Sequence, residues 1–316
     1  MSLRKQYLSH SYPTLGQAGF TLVEIMVGLT IGMLATVVIM QVFSVFESQK
    51  RTTTGSNDAQ TNTSIALYNI GRELQNAGYP LMPSENSPLE CTTRTYDTTG
   101  IGDIFPVTIT EGVAVAGVSS ASDSITIRYG DTQMGGIPNE IKGVNLPSAN
   151  DVQVDRNFGC RSVGEIALIV NGTTCAMTAV TAIPAPVPPA FEVITLNDTT
   201  AAAITNGAEL ACVGAWNEVT YAVNNGNLER DGTPSIAGIV NLQAQYGISA
   251  TQNSNRIVQW VDATGAWAAP SVANRNRIKA VRVAVVGRSD QKAATDVTTA
   301  CSSITGAAPT GLCAWD

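Results

Sequence analysis

Histidine is almost missing from this chain: His10 is the only one in 316 residues. Imidazole activates the nucleophile in Ser-His-Asp and Cys-His catalysis and supplies the nitrogen ligand of many zinc centres. Both chemistries are closed if His10 leaves the working protein, as argued below. The phosphate loop Gly-x-x-x-x-Gly-Lys-Ser/Thr does not occur. The dinucleotide pattern Gly-x-Gly-x-x-Gly begins at Gly100 and Gly102 but meets Phe105 where its third glycine belongs. A hydrolase built on two carboxylates is chemically conceivable, yet no spacing points to a pair. Charge is scarce too, at 14% of residues against 44% hydrophobic, a composition that folds rather than staying disordered. The net charge of −7 offers little to a phosphate backbone, so nucleic acid is not an expected partner. No Cys-x-x-Cys pair occurs, which argues against a metal site built on the six cysteines. The expectation is a protein that is not an enzyme and carries neither cofactor nor metal.

What the chain does have is one long apolar run. Residues 1–19 are polar, carry Arg4 and Lys5 and no acid, and end at Gly19; Phe20 to Phe46 is then largely apolar. As a helix that run reaches roughly 40 Å, more than the roughly 30 Å of a bilayer's hydrocarbon core. It can span. The residues after it, Phe46-Glu47-Ser48-Gln49-Lys50-Arg51, hold no small-x-small cleavage site, so the anchor is expected to stay on the protein. Arg4 and Lys5 put the N-terminus in the cytoplasm by the positive-inside rule, a bias that Lys50 and Arg51 weaken. The chain beyond about residue 50 then lies outside. All six cysteines, Cys91, Cys160, Cys175, Cys212, Cys301 and Cys313, fall in that part, an even number suited to disulfides in an oxidising compartment. The sequence does not choose among the pairings. Cys301 with Cys313 is the best single expectation, because a short loop there ties down a C-terminus that otherwise frays.

The odd residue in the apolar run is Glu24. An ionised carboxylate at bilayer depth costs about 2.5–3.5 kcal/mol on insertion scales, which makes it a functional candidate. It needs a counter-ion. Glu24 is four residues after Phe20, so on a helix it shares a face with the amine that a cut after Gly19 creates at Phe20.

The segment Gly19-Phe20-Thr21-Leu22-Val23-Glu24, after a short basic leader and before a long apolar helix, resembles the class III signal of type IV pilins and pseudopilins. The resemblance implies cleavage after Gly19 by a membrane prepilin peptidase, N-methylation of Phe20, and a role for Glu24 in neutralising a subunit's N-terminal amine during filament assembly. Gly28 and Gly32 form a Gly-x-x-x-Gly pair that lets helix backbones approach in lipid, although glycine is also common in membrane spans. Major pilins often carry a proline in this helix; residues 20–49 contain none.

Beyond the membrane, 50–64 is polar and interrupted by Gly55. Ile65, Leu67, Tyr68, Ile70, Leu74 and Ala77 then recur at helical intervals up to a stop at Gly78-Tyr79-Pro80. The pattern predicts one long helix over about 20–78, packed at its end into a head; the competing reading is two helices joined by a loop at 50–62, where Gly and Thr lower helix propensity. After Pro80 the composition turns to short runs of Thr, Val, Ile and Gly, the pattern of a β-rich domain. Strands are predicted at 104–110, 123–129, 151–156, 165–170, 175–181, 191–196, 216–223, 228–231, 237–247, 256–261 and 277–288. Val219, Tyr221 and Val223, the turn Asn224-Asn225-Gly226-Asn227 and the return Leu228-Glu229-Arg230 mark a hairpin. Val240, Leu242, Ala244 and Tyr246, like Val281, Val283 and Val285, read as core-facing. The proline-rich run from Ile183 to Pro189 reads as an exposed connector, with a docking strip as the sharper alternative.

Ile70-Gly71-Arg72-Glu73-Leu74-Gln75-Asn76-Ala77-Gly78-Tyr79 resembles the end of the N-terminal helix in PilW-type minor pilins. The hairpin at Val219–Arg230, the segment from Ile239 to Gly247, and Ile278 to Val283 with Arg288-Ser289 follow in the order of that family; about 90–210 resembles nothing recognised. The resemblance implies an α+β, pilin-like fold: leader 1–19, helix 20–79 with 20–46 in the membrane, and a β-rich head 80–316. It implies a minor pilin that primes pilus assembly at or near the tip. Its expected partners are other minor pilins, the major pilin, the prepilin peptidase, the inner-membrane assembly platform and a tip adhesin. The N-terminus is cytoplasmic and the head periplasmic, later at the cell surface. J-type pseudopilins of type II secretion share this plan, and a pilus-displayed binding module for DNA or surfaces is the other alternative.

Two patches in the head invite sharper readings. Asp151, Gln153, Asp155 and Asn157 place oxygens at alternate positions like the start of a calcium loop, but Arg156 stands where that loop needs glycine and Ser162 where it needs its closing carboxylate. Arg275, Arg277, Lys279 and Arg282, near Trp260 and Trp267, form the densest basic cluster; a solvated strand face is the expectation against a DNA-binding patch.

Overall fold

A computed structural model describes residues 19–81, 90–91, 93–94, 102–112, 122–134, 136–172, 174–185 and 191–290. Leader residues 1–18 and both Cys301 and Cys313 lie outside the described residues, as do 186–190 of the proline-rich run; Ile183, Pro184 and Ala185 are irregular. The chain divides into two units, residues 1–53 and 54–316. A long apolar helix followed by a strand-rich domain gives an α+β, pilin-like fold.

The first unit holds the start of a helix that runs Leu22–Asn76 without a break, so the loop considered at 50–62 does not form. Large apolar side chains from Phe20 to Phe46 are exposed, and the stretch is long and apolar enough to cross a membrane. Two hydroxyls within it are satisfied locally: those of Thr30 and Thr36 donate to the carbonyls of Val27 and Met33, at 2.9 and 2.8 Å. In hydrocarbon no water could replace those bonds.

In the second unit the helix buries a single stripe. Ala66 and Ile70 are fully buried, with Leu74 and Ala77 packed beside them, a spacing of three to four residues that keeps one face toward the core. Ile65, Leu67 and Tyr68, which the apolar spacing alone would also assign to the core, point outward and are exposed. Ile65 and Tyr68 sit about a quarter-turn or more away from that stripe and Leu67 lies just past its edge, and the small Ala66 lets the backbone come close instead. The helix ends in the turn 77–80, where Gly78 takes φ 76° and its N–H donates to the Arg128 carbonyl at 2.9 Å.

Two antiparallel sheets pack against this stripe. One has the order Thr233–Ala237, Asn227–Arg230, Trp216–Asn224, Ser124–Gly130, Val107–Thr110; the other places Ile239–Ser249 between Ile257–Val261 and Ile278–Gly287. Their shared core holds Ile109, Ile125, Ile127, Val219, Tyr221, Leu228, Leu242, Ala244, Tyr246 and Ile248. The hairpin is present: Asn224 pairs with Asn227, and Asn225 and Gly226 take φ 48° and 75°, as a primed two-residue turn requires. A bulge between Ile239 and Asn241 shifts the start of its strand, so Ile239 rather than Val240 is buried. Gly287 lies where the last strand meets the helix; a Cβ there would collide with the Thr63 hydroxyl and the Ala59 carbonyl.

The middle of the chain closes on itself. Asn139–Val144, Asp151–Val154, Glu192–Leu196, Thr174–Ala182, Ile166–Asn171 and Glu209–Gly214 pair in that cyclic order, all antiparallel, with Glu209–Gly214 returning to Asn139–Val144. The result is a six-stranded barrel, joined on one side by the short parallel strand Thr93–Arg94. Alternate residues such as Ile141, Val152, Ile169, Val180, Ile194 and Leu210 fill its interior. Ile166, Leu168 and Met177 point the other way, into an outer cluster with Val213. That two-sided burial explains the unbroken apolar run in Ile166–Val170.

Each predicted strand segment has its counterpart in the structure. Sequence reading missed three longer strands: Asn139–Val144 carries Glu140, Lys142 and Gly143, Glu209–Gly214 is a short run of small residues, and Thr233–Ala237 contains Pro234. The last tolerates proline because it is the outer strand of its sheet.

Disulfides Cys160–Cys212 and Cys91–Cys175 link positions 52 and 84 residues apart. Cys160–Cys212 lies in the barrel interior and Cys91–Cys175 in the outer cluster, so both staple the barrel. Loop-closure entropy assigns each about 4 kcal/mol. Replacing Cys160 and Cys212 together by serine should lower the midpoint of denaturant unfolding markedly, by several kcal/mol in stability, while the wild-type chain should show no reaction of these thiols with a thiol reagent before reduction.

Candidate assembly site

The apolar helix begins with a carboxylate that its own chain holds. Thr21 stands just ahead of the first helical residue, Leu22, and its N–H and hydroxyl both donate to Glu24 Oε2, each at 3.1 Å. The Glu24 N–H donates back to the Thr21 oxygen at 3.3 Å. This reciprocal arrangement is a capping box, which satisfies amide groups that a helix start otherwise leaves without partners. The Thr-x-x-Glu spacing that signals it is present in the sequence, where Glu24 drew attention as a lone carboxylate in an apolar run. Gly19 and Phe20 are exposed and precede the helix, so in the uncut chain the helical relation of Phe20 to Glu24 is not formed. Gly28 and Gly32 lie one turn apart, each with open space where a Cβ would stand. A second helix can therefore approach there.

In the second unit, a carboxylate on the helix gathers partners from the five-stranded sheet. The Tyr129 hydroxyl donates to Glu73 Oε2 at 2.7 Å, and Arg230 Nη2 donates to Glu73 Oε1 at 3.0 Å while its Nη1 reaches Asp231 at 3.2 Å. Burial and the bonded Glu73 carboxylate push the Tyr129 phenol up to about 12, and burial with the Glu73 charge also raises Tyr221. Glu73 and Arg230 are 157 residues apart. Both fall in segments singled out for their family resemblance, but nothing in the sequence shows that they meet.

The calcium reading of 151–157 does not assemble. Asp151 accepts from the Thr195 hydroxyl at 2.7 Å and the Ser148 N–H at 3.2 Å, Asp155 lies 3.8 Å from Lys142, and Asn157 accepts from the Cys160 N–H at 2.8 Å. Among the described residues no group of three or more carboxylate, thiolate or imidazole side chains is arranged to hold a metal ion. The basic cluster is not a solvated face either. Arg275, Arg277 and Arg282 lie over the rings of Phe105, Trp267 and Trp260 at 5.2, 5.3 and 4.9 Å, and Arg277 and Lys279 donate to the carbonyls of Ser249 and Gln252. Each is used within the fold. Elsewhere Asp123 is buried and accepts from the N–H groups of Gly112 and Ala244, at 3.0 and 2.8 Å; burial raises its pKa and that of Glu111.

The Glu73 cluster carries a test. Glu73→Gln keeps the shape but removes the charge, and should cost about 1–2 kcal/mol in denaturant unfolding. A phenol whose folded pKa is raised contributes stability that is fully present below its unfolded pKa and is lost as pH rises toward the folded value. Stability should therefore fall between about pH 10, where an ordinary phenol titrates, and about pH 12, with Tyr129→Phe flattening part of that slope.

Two family models match the chain at its opposite ends. Residues 15–40 match the prokaryotic N-terminal methylation motif, and residues 206–314 match the type IV pilus-assembly protein W. No curated protein and no solved structure matches. A prepilin-type signal leading a membrane-length helix, and similarity to the type IV pilus-assembly protein W over the last third of a strand-rich head, together support a type IV pilus minor pilin.

Proposed function

We propose that this minor pilin primes assembly of the type IV pilus and takes a place at or near the filament tip beside other minor pilins. The observation that carries the reading is Glu24, a carboxylate at the start of an exposed apolar helix, five residues after Gly19. Hydrolysis of the Gly19–Phe20 bond by the prepilin peptidase leaves a carboxylate on Gly19 and an ammonium group on Phe20, and N-methylation keeps that nitrogen cationic. A cation and Glu24 on neighbouring helices neutralise each other in hydrocarbon, where either alone is costly. Only Glu24 Oε2 is engaged by Thr21 among the described residues, so Oε1 can meet a neighbour's ammonium without dismantling the cap. Gly28 and Gly32 supply the close approach of the two helices.

Before assembly the chain sits in the inner membrane with its N-terminus in the cytoplasm and residues from about 50 onward in the periplasm. The two disulfides suit that compartment. A head built from two sheets and a closed barrel is bulky for repetition along a filament, which supports low copy number and a terminal position. The other minor pilins, the major pilin, the assembly platform and a tip adhesin are the partners this reading expects.

Gly19→Ala should leave an uncut precursor, heavier by the leader, in mass spectrometry of membrane-extracted protein; normal processing would remove the basis for the cleavage site. Glu24→Gln should be cut and inserted normally yet reduce surface pili by at least tenfold when counted by electron microscopy. Unchanged pilus number would show that this carboxylate has no part in assembly.

A further inference from the structure

The barrel has two unlike ends. At one, the connections 145–150 and 197–208 are polar but for the exposed Leu146, and 197–208 tucks Ala203, Ile204 and Ala208 into the interior. The strand registers place three other connections at the opposite end, where Asn139–Val144, Ile166–Asn171 and Glu192–Leu196 begin and Asp151–Val154 ends. Together they leave four large apolar side chains in solvent, Phe158 and Val163 from one connection: Ile137 40%, Phe158 50%, Val163 65% and Phe191 43% exposed. A folded head does not gain from placing four such groups around one rim, and large apolar side chains gathered in solvent mark a contact surface.

The charges at this rim are equal in number but differently engaged. Glu192 accepts from the Asn157 N–H at 2.6 Å, Glu165 accepts from the Arg161 N–H at 3.0 Å, and Asp155 faces Lys142. Arg156 and Arg161, both exposed and on the same connection as Phe158, form no ion pair among the described residues. The carboxylates here are thus occupied while the guanidinium groups are available. Neither family match includes Ile137, Phe158, Val163 or Phe191, since the matched residues are 15–40 and 206–314.

We propose that this rim of the barrel is a docking surface for a partner protein whose contact face is apolar and edged with carboxylates. Phe158 and its three neighbours form the centre, and Arg156 and Arg161 pair with the partner's acids. Aromatic and arginine side chains are the types enriched where proteins meet, and a guanidinium fork fits a carboxylate with two bonds. An anionic membrane fits less well, because lipid-binding patches gather roughly four to eight basic residues and this rim offers two. The surface goes beyond the role in filament priming, since it lies on the barrel and not on the anchoring helix.

The full-length chain, expressed in piliated cells with Phe158 replaced by the photo-reactive analogue p-benzoylphenylalanine, tests it. Irradiation should give an adduct with a different protein, and mass spectrometry of the joined peptide should find Asp or Glu beside apolar residues. Adding Arg156→Glu and Arg161→Glu should reduce that adduct at least tenfold, and the same analogue at Leu146, on the other end, should give no more than a tenth of it. Non-reducing electrophoresis checks that the Cys160–Cys212 link is intact in each variant; if charge reversal disturbs it, Val163→Ser serves instead, with a severalfold loss expected. An adduct of twice the chain's own mass, a lipid adduct, a protein adduct indifferent to these substitutions, or none would each overturn the proposal.

Discussion

A narrow stripe of side chains on one helix, Ala66, Ile70, Leu74 and Ala77, holds the two outer sheets of the head in place. Its width is set by helical geometry: residues three and four apart share a face, and nothing outside that face can reach the core. The strand Ile278–Gly287 can approach because Gly287 has no side chain to meet Thr63. Beside the stripe, Glu73 receives Tyr129 and Arg230 from the neighbouring sheet. The apolar contact supplies the area of this interface; the carboxylate, with two donors aimed at it, supplies the direction. One partly shielded charge meeting two donors is far more selective for a single docking angle than a greasy surface would be.

The barrel solves a different problem. An isolated sheet of short strands would leave two edges with free backbone groups, and closing six strands into a ring removes them. Small interior residues such as Ala167, Ala176 and Cys212 let the ring shut, and each end is then stoppered by its own connection. Cys160–Cys212 fastens one of those stoppers inside, while Cys91–Cys175 ties the outer cluster to the chain that leads in from the helix. The two family matches fall on the anchoring helix and the last third of the chain. The closed module thus lies largely in the stretch between them, and it presents distinctive surface without altering the part of the molecule that meets the membrane.

Legibility in the sequence followed the range of the interactions. The helix, its stop at Gly78-Tyr79-Pro80 and the hairpin at Asn225-Gly226 were readable because their causes lie within a few residues. Strands with period-two or continuous apolar runs were readable for the same reason. Asn139–Val144 was not, since Glu140 and Lys142 interrupt it, and its place in the sheet comes from partners far along the chain. The basic cluster was misread as a solvated face because the rings and carbonyls that receive Arg275, Arg277, Lys279 and Arg282 come largely from other segments of the chain.

The linear order of residues was enough to determine that this chain has a membrane-length apolar helix headed by one carboxylate, a short polar segment before it that ends in glycine, and a β-rich remainder with cysteines on a single side of the apolar run. Those are properties of composition and short spacing, and they hold whatever the rest of the chain does. Only the tertiary structure decided that Cys160 meets Cys212 and Cys91 meets Cys175, that Glu73 meets Arg230, that six strands close into a ring, and that Ile137, Phe158, Val163 and Phe191 share one rim of it. The physical reason is that each of these depends on bringing together groups from separate segments of the chain, and sheet registers set by many weak contacts at once, not any local pattern, fix which groups those are.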